Sequence, residues 1–176
     1  MVRASTGRDA CATAYCRRSY SERGFSMGQK AIDSLEIGAK TTFSKTVTDE
    51  IVRQFAEVSG DHNPIHLDEE AARKTIFRGR IAHGVLSLAF VSAALAKLPG
   101  TVVYLSQTVQ FLKPVRIGDA IEAVGEVVGK DPEKGEVVLK TYCKNQRDQI
   151  VLEGEARVKL FDPREPSSFR QLQYSP

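Results

Sequence analysis

Ala82-His83-Gly84-Val85-Leu86-Ser87-Leu88-Ala89-Phe90-Val91-Ser92-Ala93-Ala94-Leu95-Ala96-Lys97 is the stretch that decides the fold. Apolar and small residues fall on nearly every side of the helix it would make, so the sequence predicts a helix buried all round. Ser87, Ser92 and Lys97 interrupt it, and it is too short to cross a bilayer. Pro99-Gly100 closes it. The chain beyond Gly100 reads as strands. Val102–Phe111 comes first, then Ala120–Val128 and Glu136–Lys144 joined by a loop over residues 129–135. Over Gln149–Phe161, Leu152, Gly154, Ala156, Val158 and Leu160 alternate with Glu153, Glu155, Arg157 and Lys159, the period-2 signature of a half-buried strand. One buried helix followed by long antiparallel strands predicts an α+β fold, a sheet wrapped around that helix.

Upstream of the helix, β-branched residues make Thr41–Val47 a short strand. Thr48 caps a helix whose first turn holds Asp49 and Glu50, where the helix dipole favours negative charge. Ile51, Val52, Phe55, Ala56 and Val58 share one face, and Ser59-Gly60 stops the helix. Gly60-Asp61-His62-Asn63-Pro64 is a turn by composition. Asp68–Lys74 reads as a second short helix capped by Asp68, followed by a basic loop over residues 75–81.

With 176 residues, 41% hydrophobic and 27% charged, the chain suits one soluble domain. No run of about 18 apolar residues occurs, so no membrane span is expected. The net charge of +3 comes from residues 1–30, where six basic residues face Asp9 and Glu22; the remainder is close to neutral. That argues against nucleic acid as partner, since such binding needs a basic face. Residues 1–30 read as a disordered leader, 31–162 as the domain and 163–176 as a flexible tail. The leader is Arg- and Ser-rich and acid-poor, like a mitochondrial transit peptide, which would place the protein in the matrix. A second reading starts translation at Met27. Cys11, Cys16 and Cys143 lack metal-type spacing and imply free thiols in a reducing compartment, the cytoplasm.

The only histidines, His62, His66 and His83, fall within residues 62–83, beside Asp61, Asn63 and Gly84. Asn63-Pro64 favours a turn or extended backbone, so Asp61 and His66 can face one cleft and one water as a general acid–base pair. The alternative is that Asp61 caps the turn and His66 packs. Gly84 lies in the first turn of the buried helix, where an unpaired N–H can hold a carbonyl oxygen that gains negative charge; its alternative is a glycine kept for tight packing. His62 and His66 have the i, i+4 spacing of helical zinc motifs, but Pro64 between them argues against a helix, so no metal is expected.

Phe55-Ala56-Glu57-Val58-Ser59-Gly60-Asp61-His62-Asn63-Pro64-Ile65-His66-Leu67-Asp68 closely resembles the MaoC-like, (R)-specific enoyl-CoA hydratases. The likeness continues through Ile81-Ala82-His83-Gly84 and, more weakly, through Tyr104–Gln107 and Phe111–Val115. It implies a hotdog fold, a homodimer, and hydration of 2-enoyl thioesters to (R)-3-hydroxyacyl thioesters. It further implies that Asp61 and His66 activate the water, that Asn63 supports them, and that Gly84 N–H holds the thioester carbonyl. His83 and Ser92 fall at substrate-facing positions. Arg73, Lys74, Arg78 and Arg80 are candidates to meet the phosphates of coenzyme A or of an acyl carrier protein's arm, or else form a solvated basic loop. No cofactor is implied. A thioester hydrolase on the same fold and a non-catalytic acyl-binding or scaffold domain are the rival readings.

Overall fold

The structure is a computed structural model that describes residues 31–161. The expectations for the leader, for Cys11 and Cys16, and for the tail lie outside the described residues. Five strands form one antiparallel sheet in the order β1-β3-β4-β5-β2: β1 Lys40–Thr46, β2 Thr101–Phe111, β3 Ala120–Asp131, β4 Glu136–Lys144 and β5 Ile150–Phe161. The helices are α1 Asp49–Ser59, α2 Pro64–Leu67, α3 Glu69–Arg73 and α4 Gly84–Leu95. The sheet curls around α4, which packs on β1, β3 and β4. Leu86, Phe90, Val91, Ala94 and Leu95 enter one core with Val127, Leu139, Leu152 and Val158 of the strands. This is the hotdog arrangement.

Local chemistry accounts for the boundaries. Thr48 Oγ1 accepts the Ile51 N–H and opens α1; Gly60, at φ 75°, closes it with its N–H on the Ala56 carbonyl. Asp68 accepts from Glu70 and Ala71 N–H and opens α3. β3 runs three residues past the predicted end, to Asp131, with a register shift at Val127/Gly129.

Two expectations are corrected. α4 is not buried all round: Val85, Ala89 and Ser92 form an exposed stripe, because a single curled sheet covers only one side of a helix. And Pro64 does not exclude helix. It occupies the first position of α2, where its missing N–H has no intrahelical role and its fixed φ fits. His62 precedes that turn, so the two histidines still do not share one helix.

Among the described residues no helix is long and apolar enough to cross a membrane. Cys143 is free and buried, and burial pushes its thiol up to about 12.

At Gly154 of β5, a Cβ would run into the Thr108 carbonyl of β2, a backbone atom that cannot swing away. Gly154→Ala is therefore expected to cost at least about 2 kcal/mol, read as a lowered urea midpoint. An unchanged midpoint would show that the β2–β5 contact is looser than described.

Candidate active site

Two successive side-chain turns shape the bend between α1 and α2. Asp61 Oδ1 accepts the Asn63 N–H at 3.2 Å, and Asn63 Oδ1 accepts the Ile65 N–H at 3.2 Å, capping α2. The Asp61 N–H is held by Ser59 Oγ at 3.2 Å. Asp61 therefore ties one carboxylate oxygen into the bend and leaves Oδ2 free. Asn63 acts on the backbone and positions His66.

His66 is buried, and its Nδ1–H donates to the Ile81 carbonyl at 2.9 Å. That bond leaves Nε2 without a proton, 3.9 Å from Asp61 Oδ2. The distance is too long for a direct hydrogen bond and leaves room for a water beside both atoms. Burial is the main reason the imidazole is held below the ordinary histidine value, and His83 adds to it; Asp61 and the Ile81 carbonyl oppose without reversing it. His66 is thus neutral at neutral pH, with its bare nitrogen facing the carboxylate.

His83 lies behind the site. It is 2% exposed, stacks on His66 with ring centroids 3.8 Å apart, and is backed in turn by Phe55 at 5.0 Å. Its Nε2–H donates to the Asp61 backbone carbonyl at 2.9 Å. The expectation that His83 touches substrate gives way to a support role, holding Asp61's main chain and His66's ring face. The nitrogens and carboxylate of Asp61, His66 and His83 come within 4.8 Å of one another. However, His83 Nε2 is engaged with the carbonyl, and the rings lie one on the other at 31°. The His83 Nδ1 is buried with no hydrogen-bond partner among the described residues.

His66 and Gly84 line one groove of about 390 Å³, walled by Phe77, Val85, Phe111 and Pro114. His83 caps α4 without a side-chain bond, and among the described residues the Gly84 N–H has no acceptor. A Cβ on Gly84 would come within 2.8 Å of the Phe111 ring. The glycine thus keeps the groove open beside a free helix-terminal N–H. Ser92 lies outside this groove, in a second apolar depression with Phe55, Leu88 and Tyr104; Val85 lines both.

The four basic residues separate. Arg73 pairs with Glu69 at 3.0 Å, and Lys74 and Arg78 are exposed. Arg80 corrects the phosphate reading: its side chain is 12% exposed and turned inward, onto the His66 carbonyl and Asp49. His62 faces away, on Glu57 at 3.1 Å, and that bond raises its pKa. Sequence reasoning did not find the Ile81 carbonyl, the Phe111 wall, or Arg116. The Arg116 guanidinium holds the carbonyls of Phe77, Gly79 and Arg80 and so fixes the loop before α4. None of these carries a residue-type signal: a carbonyl is present at every position, and Arg116 reaches back over more than thirty residues.

The MaoC like domain profile matches residues 34–147. The chain belongs to the MaoC-like family. It is 44% identical over 130 residues to a 3-hydroxybutyryl-CoA dehydratase of Methylorubrum extorquens, covering 73% of this chain and 82% of that protein. It is 41% identical over 130 residues to an (R)-specific enoyl-CoA hydratase of Rhodospirillum rubrum, covering 73% and 90%. Among solved structures, the (R)-hydratase of Aeromonas caviae superposes with a TM-score of 0.69 at 39% identity, covering 72% of this chain and 98% of that one.

His62 and His66 are expected to depart from the ordinary histidine value in opposite directions. On acidification, nuclear magnetic resonance should show His62 protonating above pH 6.5 and His66 below it. The reverse order would contradict the buried, neutral His66.

Proposed function

We propose that this protein is a hydro-lyase that adds water reversibly across trans-2-enoyl thioesters to give (R)-3-hydroxyacyl thioesters. The observation that carries the reading is a free carboxylate oxygen of Asp61 3.9 Å from the bare imidazole nitrogen of His66, which itself lines the groove that also holds Gly84. Relatives named as hydratases and dehydratases support it.

The thioester carbonyl accepts the Gly84 N–H, which draws electron density from the double bond and makes C3 electrophilic. A water held by Asp61 Oδ2 and His66 Nε2 attacks C3. The pair takes one proton as the C3–O bond forms and returns one to C2 on the same face, so the sum is one water added. In this scheme the thioester is the only activating group and no metal or redox cofactor takes part. The elimination runs the same path backwards.

The substrate handle is a phosphopantetheine thioester, borne by coenzyme A or by an acyl carrier protein; relatives named for each support both. We also assign a homodimer. Val85, Leu105, Phe111 and Leu112 are 40–55% exposed along α4 and the free edge of β2, a concentration of apolar surface suited to a second copy. A reducing compartment, the cytoplasm or the mitochondrial matrix, suits a buried free Cys143.

Asp61→Asn keeps an oxygen for the Asn63 N–H, and His66→Ala removes only the ring. Each is expected to lower crotonyl-CoA turnover at least ~10²-fold with the fold retained by circular dichroism, and His66→Ala also to lower the melting temperature, because it leaves a cavity against His83 and an unpaired Ile81 carbonyl. Activity near that of the unsubstituted protein in both would defeat the assignment. Following enoyl absorbance and free thiol together separates hydration from hydrolysis: absorbance should fall with no thiol released.

A further inference from the structure

α2 has four residues, too few to be stable by itself, and the carbonyls at its end have no partners within the turn. Those of Pro64, Ile65 and His66 find a donor beyond it. The Pro64 carbonyl takes the Asp68 N–H at 2.9 Å and the Ile65 carbonyl takes the Ile81 N–H at 3.2 Å. The His66 carbonyl takes Arg80 Nε–H at 2.7 Å, so this one alone of the three depends on a side chain. Two adjacent residues thereby grip His66 at both ends: Arg80 holds its backbone and the Ile81 carbonyl holds its ring.

The guanidinium is itself anchored. Its Nη2 lies 2.5 Å from Asp49 Oδ1 in the first turn of α1, an ion pair of two buried atoms that are not aligned as a hydrogen bond. Arg53 and Arg80 together keep the Asp49 carboxyl below its usual range. A planar fork can serve two acceptors in different directions at once, where an ammonium on a flexible stem holds less geometry. We propose that Arg80, braced by Asp49, is a positioning residue for His66: it fixes the turn so that Nε2 stays aimed at the free oxygen of Asp61.

This rests on the hydration reading for the role of His66, and the test has an arm that does not. Arg80→Ala, Arg80→Lys and Asp49→Asn are each compared with the parent for kcat and KM on crotonyl-CoA, and for the titration of the His66 ring by nuclear magnetic resonance. The titratable groups facing that ring are Asp61 and His83. Arg80→Lys keeps the cation at position 80, and losing the Asp49 carboxylate acts only to lower the His66 midpoint, so a raised midpoint in either reports a moved ring. Arg80→Ala is expected to lower kcat on the order of 10- to 100-fold with KM within about twofold. The other two should lose less, with the His66 midpoint rising toward 6.5 as the loosened ring meets water. Unchanged kcat in Arg80→Ala, a raised KM with intact kcat, or a His66 midpoint that does not rise in either Arg80→Lys or Asp49→Asn would overturn the proposal. If Arg80→Ala does not fold, the other two variants give the same decision. If the parent does not hydrate crotonyl-CoA, the proposed function fails, while the titration still judges the link from Asp49 through Arg80 to His66.

Discussion

Asp61 divides its two carboxylate oxygens between structure and chemistry. One is bound to the Asn63 amide and shapes the bend; the other stands 3.9 Å from His66. Were both free, the carboxylate would not be held in place, and the gap of two facing acceptors that a water can bridge would not be fixed. Much of the surrounding structure maintains this division. Gly60 adopts the left-handed conformation that releases the chain from α1, Ser59 holds the Asp61 amide, and His83 holds its carbonyl.

The state of the imidazole follows from its packing. His66 is buried against His83, which is backed by Phe55 of α1, while the Ile81 carbonyl fixes which ring nitrogen carries the proton. Burial disfavours the charged ring, so the bare nitrogen persists at neutral pH. The groove beside it is set by different means. α4 is driven into the curled sheet by Leu86, Phe90 and Leu95, and its N-terminus therefore emerges at the groove with the Gly84 N–H open. The hydrophobic core thus places the electrophilic end of the site, and a short polar bend places the acid–base end.

Most of the fold was legible in the sequence because its signals are local. Thr48, Gly60 and Asp68 act within a few residues of themselves, and the alternation in β5 needs only its own strand. The Asp61–His66 pairing was legible through the family motif more than through spacing. Pro64 misled, since the rule against proline in helices does not hold at the first position. The expectation of an α4 buried all round fails because periodicity reports what a face is made of and not whether a partner covers it. Arg80 looked like a free cation in a basic loop, yet its partners Asp49 and His66 lie 31 and 14 positions away. Contacts of that kind depend on the assembled fold and leave no mark at the residue itself.

The most direct test is hydration of crotonyl-CoA in deuterated water, with the configuration of both carbons of the product determined. One carboxylate–imidazole pair working on one water from one face predicts a single (R)-3-hydroxybutyryl-CoA carrying one deuterium at C2 on the face that received the oxygen. A mixture of configurations at C3, deuterium on the opposite face, or release of free coenzyme A in place of hydration would contradict it.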